Sequence, residues 1–259
     1  MNSNGSDLKR LTQENPSATN PKWSPDGTRI AYQANDNGVT YLCVVNTDGS
    51  SPKRIIGING DFDWSPDGSR IAVSSTMGVW SPGNLAEVCL IDANGNNIQR
   101  LTEDSTWDGN PRWSPDGTKI AFASLRDGHS EIYVMNNDGT SLRQLTDLEL
   151  GFDYPSWSPN GNRIAFLSYT TGIIYIVDAD GSSLTKLNIA GYFVRDFSWS
   201  PDSASMVISA SPRVKFDYFT SDSDIYFINV DGTGLRQLTF DHLSGAVLWI
   251  HKTVPEQNR

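Results

Sequence analysis

The sequence predicts an all-β fold, a β-propeller of four-stranded antiparallel blades. The motif Trp-Ser-Pro-Asp-Gly, or a close variant, recurs in the 259 residues at intervals of roughly 40–50 residues. Each interval holds four short apolar segments separated by turn residues, which is typical of propeller blades. The 22 glycines and 13 prolines favour turns and strands over helices. The repeated tryptophans are Trp23, Trp64, Trp113, Trp157 and Trp199, and Trp249 continues the series.

Each element of the repeat has a physical explanation. The first strand ends at the tryptophan, and Pro-Asp-Gly then closes a tight turn, because proline presets φ and glycine accepts a positive φ. The second strand alternates large and small side chains, as in residues 163–167. The third strand is apolar on both faces, as in residues 132–135, so both faces must be covered. A turn of the type Asn/Asp-x-Asp-Gly leads to the fourth strand.

The spacing of the motifs predicts where the blades lie. Residues 2–12 align with residues 136–146, so we expect the chain to begin within a blade. We therefore expect a single domain with an incomplete sixth blade, closed by pairing residues 8–11 with residues 246–250. The alternatives are a five-bladed ring and a fragment of a longer array. Five complete blades are expected at about 19–57, 61–101, 110–145, 154–187 and 196–238.

Composition excludes several classes of function. The chain has 20 Lys and Arg against 30 Asp and Glu, a net charge of −10, which argues against nucleic acid and anionic membranes as partners. It has no apolar run of about 18 residues, so we expect no membrane insertion. Cys43 and Cys89 occupy equivalent positions in adjacent blades, about 10 Å apart. A disulfide needs Cα atoms within about 7 Å, so both are expected to be small buried residues.

No catalytic or metal-binding motif stands out in the sequence. It contains no Gly-x-Ser-x-Gly nucleophile turn and no phosphate-binding or dinucleotide-binding fingerprint. His129, His242 and His251 are not at equivalent blade positions, so we expect no metal centre. The Asp-rich turn at residues 176–187 fails as a calcium loop, because Ile176 and Leu187 stand where ligands are needed. We therefore expect no catalytic residue, metal or cofactor.

Variable loops are the predicted binding surface. The loops between second and third strands and the connections between blades share one face and differ from blade to blade, whereas the repeated turns occupy the other face. Variable loops on a rigid scaffold usually carry function, and aromatic residues with arginine are typical of binding hot spots. The candidate binding residues are Trp80, Trp107, Tyr154, Tyr192, Phe193, Arg195, Arg213, Lys215, Phe216 and Tyr218.

The repeated unit WSPDG…IAF…IY…DG…LT resembles the TolB-like propeller repeat family over nearly the whole chain. This resemblance implies a periplasmic or extracytoplasmic bacterial propeller that binds other proteins. Similar repeats form the non-catalytic gating propeller of prolyl-oligopeptidase-like enzymes and occur in oligogalacturonate lyase. Localisation rests on the resemblance, since no signal peptide precedes the repeats.

Together these observations predict a non-enzymatic propeller scaffold. We expect it to bind a protein or peptide through its variable loop face and pore mouth, and an envelope-associated protein is one candidate partner. The alternative is the propeller portion of a carbohydrate- or peptide-processing enzyme, either a lyase or a gating domain. We expect a monomer unless the incomplete blade pairs with another copy.

Overall fold

The computed structural model describes residues 8–12, 17–76, 85–104, 106–149, 151–187, 189–213 and 223–240. Within these ranges the protein contains twenty β-strands and no helix, arranged in five four-stranded sheets. In every sheet the strands are antiparallel and lie side by side in the order of the chain. The prediction of an all-β fold with four-stranded antiparallel blades is therefore confirmed. The described part of the chain has no helix capable of crossing a membrane.

The chain divides into two compact units, Met1–Gln144 and Leu145–Arg259. The first unit holds blades one to three. Blade one contains β1 (Ala18–Trp23), β2 (Arg29–Asp36), β3 (Val39–Asn46) and β4 (Lys53–Gly57). Blade two contains β5 (Phe62–Trp64), β6 (Arg70–Ser75), β7 (Glu87–Asp92) and β8 (Ile98–Arg100). Blade three contains β9 (Asp108–Trp113), β10 (Lys119–Ser124), β11 (Glu131–Asn136) and β12 (Arg143–Gln144).

The second unit holds blades four and five. Blade four contains β13 (Phe152–Trp157), β14 (Arg163–Ser168), β15 (Ile173–Asp178) and β16 (Thr185–Leu187). Blade five contains β17 (Tyr192–Trp199), β18 (Ser205–Pro212), β19 (Asp224–Asn229) and β20 (Arg236–Gln237).

The turn after each tryptophan is held by its own side chains. In blade one the Ser24 hydroxyl donates to Asp26 Oδ1 at 2.5 Å and accepts from the Arg29 amide at 2.9 Å. Gly27 closes the turn at a φ of +68°, which suits glycine. The Ser24 hydrogen bond, helped by those of Thr28, lowers the pKa of Asp26 to about 2. The serine bond recurs in the other blades as Ser65–Asp67, Ser114–Asp116, Ser158–Asn160 and Ser200–Asp202.

Neighbouring blades within a unit pack face to face. We call the face that carries the tryptophan the Trp face, and the opposite one the aliphatic face. In the first unit the aliphatic face of blade one packs on the Trp face of blade two, and blade two packs on blade three in the same way. In the second unit the aliphatic face of blade four packs on the Trp face of blade five. Cys43 and Cys89 both lie on Trp faces, free and buried, as expected from their spacing.

The predicted closing blade is described in part. Residues 8–12 form no regular strand, but the Lys9 ammonium donates to the Asp48 carbonyl of blade one. Residues 246–250 lie outside the described residues. The pairing of these two segments therefore stays a prediction.

Candidate binding surface

The variable loops emerge at one end of each blade, because antiparallel strands place the loop after the second strand at the same end as the inter-blade connection. We call this the loop end. Residues 77–84 and 214–222, in the loops between the second and third strands of blades two and five, lie outside the described residues. Four of the predicted binding residues therefore lie there too, namely Trp80, Lys215, Phe216 and Tyr218.

In the first unit, Trp107 lies in the connection between blades two and three. Its indole ring packs so closely over Gly109 that no side chain could be added there without moving the ring. Its carbonyl accepts a hydrogen bond from the Leu125 amide at 3.0 Å. Trp107 is half-buried, so it contributes to packing and still presents part of its ring at the loop end.

Three carboxylates that the sequence interpretation missed lie beside Trp107. Oxygens of Glu87, Asp104 and Asp108 are within 4.8 Å of one another. Arg100 pairs with Glu87 at 2.6 Å, and Arg126 bridges Asp104 at 3.0 Å and Asp108 at 2.9 Å. Burial raises the pKa of Asp108, against the opposing effects of hydroxyl hydrogen bonds and Arg126.

The carboxylate cluster is an ion-paired joint between two blades. Three carboxylates face two guanidinium groups, so a divalent cation would have to compete with arginine for the same oxygens. The Thr102 hydroxyl donates to Glu87 at 2.6 Å and accepts from the Val88 amide at 3.0 Å. In blade five Thr239 likewise accepts from an amide, that of Ile225, at 2.9 Å. The repeated Leu-Thr pair thus has a structural role. The sequence showed only that the pair recurs at the end of the repeated unit.

In the second unit, the loop ends of blades four and five are bound tightly together. The Phe193 ring lies against Gly172, whose φ is +61°. The Arg213 guanidinium donates to the carbonyls of Tyr192 and Thr171, each at 2.7 Å. The Tyr192 ring packs edge-on against Tyr226, with centroids 5.0 Å apart. Tyr192, Phe193 and Arg213 therefore form a half-buried support, and Arg195 lies exposed beside them at a bulge in β17.

Among the predicted binding residues that the structure describes, Tyr154 has the most unusual conformation. It lies within the irregular stretch between Asp153 and Ser156 of β13, with a φ of +53°. The residues three before the tryptophan in blades one and three are Asn20 and Asn110, with φ of +51°. Asparagine tolerates this left-handed region, whereas a bulky side chain there is a genuine outlier. Tyr154 is nevertheless 55% exposed.

Tyr169 extends the exposed aromatic surface at the same end of blade four. It follows β14 directly, opposite the start of β13, and its ring lies close to Gly151. Its side chain is 57% exposed. The sequence interpretation did not single out Tyr169, because a lone tyrosine in a turn carries no signal of its neighbours. Exposed aromatic side chains on a rigid support are suited to binding rather than to stabilising the fold.

Solved structures with a similar fold include two TolB-type proteins and a lyase. A TolB candidate from Agrobacterium tumefaciens is 27% identical, with a TM-score of 0.66, covering 84% of this chain and 78% of that one. TolB from Acinetobacter baumannii is 22% identical, with a TM-score of 0.66 and coverage of 89% and 56%. An oligogalacturonate lyase from Vibrio parahaemolyticus is 17% identical, with a TM-score of 0.66 and coverage of 88% and 67%. The present chain thus spans little more than half of the Acinetobacter protein.

A search of curated proteins gives no match. The model of the TolB beta propeller domain family, however, matches residues 54–212, more than half of the chain. This region contains repeated Trp-Ser-Pro turns with the side-chain bonds described above. The resemblance expected from the motifs is confirmed, and the chain belongs to the TolB beta propeller domain family.

Proposed function

We propose that this chain is a non-enzymatic propeller that binds a protein or peptide, with the loop end of its second unit as the contact surface. The observation that carries the proposal is Tyr154. It is a bulky, exposed side chain in a left-handed conformation, at a position where blades one and three have asparagine. Such departures are concentrated at functional sites. Because the Tyr154 side chain is 55% exposed, more than half of it is available to a partner.

The surroundings of Tyr154 support a binding role. Tyr169 and Arg195 are exposed at the same end of the second unit, and tyrosine and arginine are enriched in binding hot spots. The support beneath them is held by Arg213, whose bonds to two backbone carbonyls keep the loops in place. A rigid surface loses little conformational entropy when a partner binds.

The proposal includes a cellular location and a class of partner. Of the three solved structures described above, the two TolB-type proteins have the higher sequence identity, which supports a periplasmic or extracytoplasmic location and an envelope-associated partner. We propose that the chain acts as a monomeric scaffold, with no nucleic acid partner because of its charge of −10.

The variant Tyr154→Asn tests the proposal without damaging the fold. It restores the residue type that blades one and three use, so we expect the melting temperature to be unchanged or to rise by about 2–4 °C, from relief of about 1 kcal/mol of strain. We also expect at least a tenfold loss of partner capture from a bacterial envelope extract, quantified by mass spectrometry. The matched control is Leu184→Ser, which removes a 39% exposed side chain at the opposite end of blade four.

Either of two results would count against this assignment. Equal capture by wild type and Tyr154→Asn would show that Tyr154 does not contact the partner. A lower melting temperature for Tyr154→Asn would show that the tyrosine is part of the packing, and that its conformation serves the fold.

A second candidate function is the propeller portion of an enzyme. It is favoured by the fold of oligogalacturonate lyase, which has been solved in complex with manganese. The candidate ligands are the three carboxylates beside Trp107, from which Mn²⁺ would have to displace Arg100 and Arg126. This candidate predicts turnover of pectic oligosaccharides in the presence of Mn²⁺, and loss of that turnover in Asp104→Asn. If the purified wild-type chain turned over these oligosaccharides, the non-enzymatic proposal would be refuted.

A further inference from the structure

Asparagine–glycine pairs are positions at which a protein chain can modify itself. The glycine amide nitrogen attacks the side-chain carbonyl carbon of the asparagine, and glycine has no Cβ to shield that nitrogen. The attack requires an asparagine side chain and a glycine amide that are free of other hydrogen bonds. The part of the chain that the structure describes contains four such pairs, namely Asn37-Gly38, Asn59-Gly60, Asn94-Gly95 and Asn160-Gly161.

Hydrogen bonds hold three of the four pairs. In blade four the Gly161 amide donates to the Ser158 carbonyl at 2.8 Å. The Asn160 side-chain oxygen accepts from the Ser158 hydroxyl at 2.8 Å and from the Asn162 amide at 3.0 Å. Both reacting groups of this pair are therefore engaged, and the pair should be unreactive while the chain is folded.

The pairs of blades one and two are held in a similar way. In Asn94-Gly95 the glycine amide donates to the Asp92 carbonyl at 2.7 Å. In Asn37-Gly38 the glycine amide donates to the Asn35 side chain at 3.2 Å. Both asparagine side chains also have hydrogen-bond partners within their turns. Neither pair therefore combines a free asparagine side chain with a free glycine amide.

The fourth pair, Asn59-Gly60, lies in the connection between β4 and β5, and its asparagine is exposed. Among the described residues, neither the Asn59 side-chain amide nor the Gly60 main-chain amide has a hydrogen-bond partner. The backbone on either side is fixed, because the Asn59 amide donates to the Ser74 carbonyl at 2.9 Å and the Gly60 carbonyl accepts from Gln33 at 2.7 Å. The two groups that would react are therefore free, although the atoms around them are held.

We propose that Asn59-Gly60 is a deamidation site. The Gly60 nitrogen forms a bond to Asn59 Cγ, the bond from Cγ to Nδ2 breaks, and the departing nitrogen leaves as ammonia with the proton of the Gly60 amide. The product is a succinimide ring. Water then opens the ring at one of its two carbonyl groups, which gives either an aspartyl or an isoaspartyl residue. In the isoaspartyl product the main chain runs through the former side chain and is one methylene longer.

The modified bond lies beside Asp61, which links three blades within the first unit. The Asp61 carboxylate pairs with Lys22 of β1 at 2.9 Å and with Arg112 of β9. It also accepts from the Asn20 side chain at 2.6 Å, and the Asp61 amide donates to Asn110 Oδ1 at 3.2 Å. A main chain that is one methylene longer before Asp61 moves its carboxylate and its amide away from these partners. The isoaspartyl product should therefore weaken the contacts between blades one, two and three.

The rate of deamidation at each pair tests the site. The native 259-residue chain is incubated in mildly alkaline buffer, and the peptides that contain each pair are quantified by mass spectrometry. We expect Asn59 to deamidate at least tenfold faster than each of the three asparagines in the turns, which are Asn37, Asn94 and Asn160. In concentrated urea the turn bonds are lost, so we expect the preference for Asn59 to disappear.

The variant Gly60→Ala is the matched control for the attacking nitrogen. A Cβ added at Gly60 would lie 3.4 Å from Asn110 Oδ1 and 3.6 Å from Ser74 Cβ, so the variant should fold. The added methyl group shields the nitrogen, and we expect deamidation at Asn59 to slow at least tenfold. Equal rates at Asn59 and Asn160 in the folded wild type would overturn the proposal, and so would an unchanged rate in Gly60→Ala.

A melting experiment tests the effect on the contacts of Asp61. The variant Asn59→Asp introduces the carboxylate without lengthening the main chain, so it isolates the effect of charge. Because Asn59 is exposed, we expect this variant to melt within about 2 °C of the unmodified wild type. We expect the isoaspartyl form, separated from aged protein by chromatography, to melt about 4–8 °C lower, because hydrogen bonds of Asp61 are lost. Equal melting temperatures of the isoaspartyl form and Asn59→Asp would refute the effect inferred for Asp61.

Discussion

Replacing equivalent tryptophans in blades one and two should have very different consequences. Trp64→Ala removes a side chain that is 6% exposed, and its Nε1 donates to the Lys22 carbonyl at 3.2 Å. Truncating a buried tryptophan costs about 3–5 kcal/mol, and the lost hydrogen bond adds about 1 kcal/mol. Trp23 is 63% exposed, so only about a third of its surface is buried and Trp23→Ala should cost about 1–2 kcal/mol. The expected difference between the variants is therefore about 3 kcal/mol.

Urea denaturation, followed by far-ultraviolet circular dichroism, measures this difference. With a slope of about 3 kcal/mol per molar urea, the midpoints of the two alanine variants should differ by about 1 M. Trp64→Phe keeps most of the packing and loses the Nε1 bond, so it provides a measurable variant if Trp64→Ala does not fold. If Trp23→Ala destabilises the chain as strongly as Trp64→Ala, Trp23 is buried in solution. The reasoning from the exposure of Trp23 would then be wrong.

Two further predictions concern side chains that the repeat uses within its blades. Thr102→Val should lower the free energy of unfolding by about 1–3 kcal/mol, because it leaves the buried carboxylate of Glu87 without its hydroxyl donor. Thr118 is exposed, so Thr118→Val should change the urea midpoint much less than Thr102→Val. Equal effects of the two variants would refute the explanation. Hydrogen bonds from the hydroxyl and amide groups of its turn lower the pKa of Asp67 to about 2. The ionised carboxylate of Asp67 therefore stabilises the folded chain above about pH 4, and this stabilisation is lost as the pH falls towards 2. The variant Asp67→Asn mimics Asn160 of blade four. Its melting temperature should therefore differ most from that of the wild type above pH 4, and the two should converge near pH 2. A pH-independent difference would contradict this account.

The fold could be predicted because the residue patterns that determine it are local in the sequence and are repeated. The turn that follows each tryptophan is closed by bonds among residues at most five positions apart, as between Ser24 and Arg29. The alternation of large and small residues in the second strand reports which face meets the next blade. Neither signal depends on contacts distant in the sequence. The strand order therefore followed from the repeat alone.

The binding surface could be predicted only in part, because its details depend on contacts between blades. The sequence indicated Arg213 as a candidate binding residue, whereas the structure places its guanidinium on the carbonyls of Tyr192 and Thr171. Those acceptors are backbone atoms, which no side-chain pattern reveals. Alignment with Asn20 and Asn110 does show that Tyr154 differs in residue type from the asparagines at this position. Its positive φ, at the irregularity in the pairing of β13 with β14, is seen only in the structure.

The packing between blades also affects how the first unit opens. Blade two is packed on both of its faces, so separating it from the unit breaks two interfaces, whereas separating blade one breaks one. In a linear array whose members contact only their neighbours, stability is a sum of unit and interface contributions. Within the first unit blade one and blade three are each packed on one neighbour, so both should detach at a lower free energy than blade two, and their backbone amides should exchange with solvent before those of blade two.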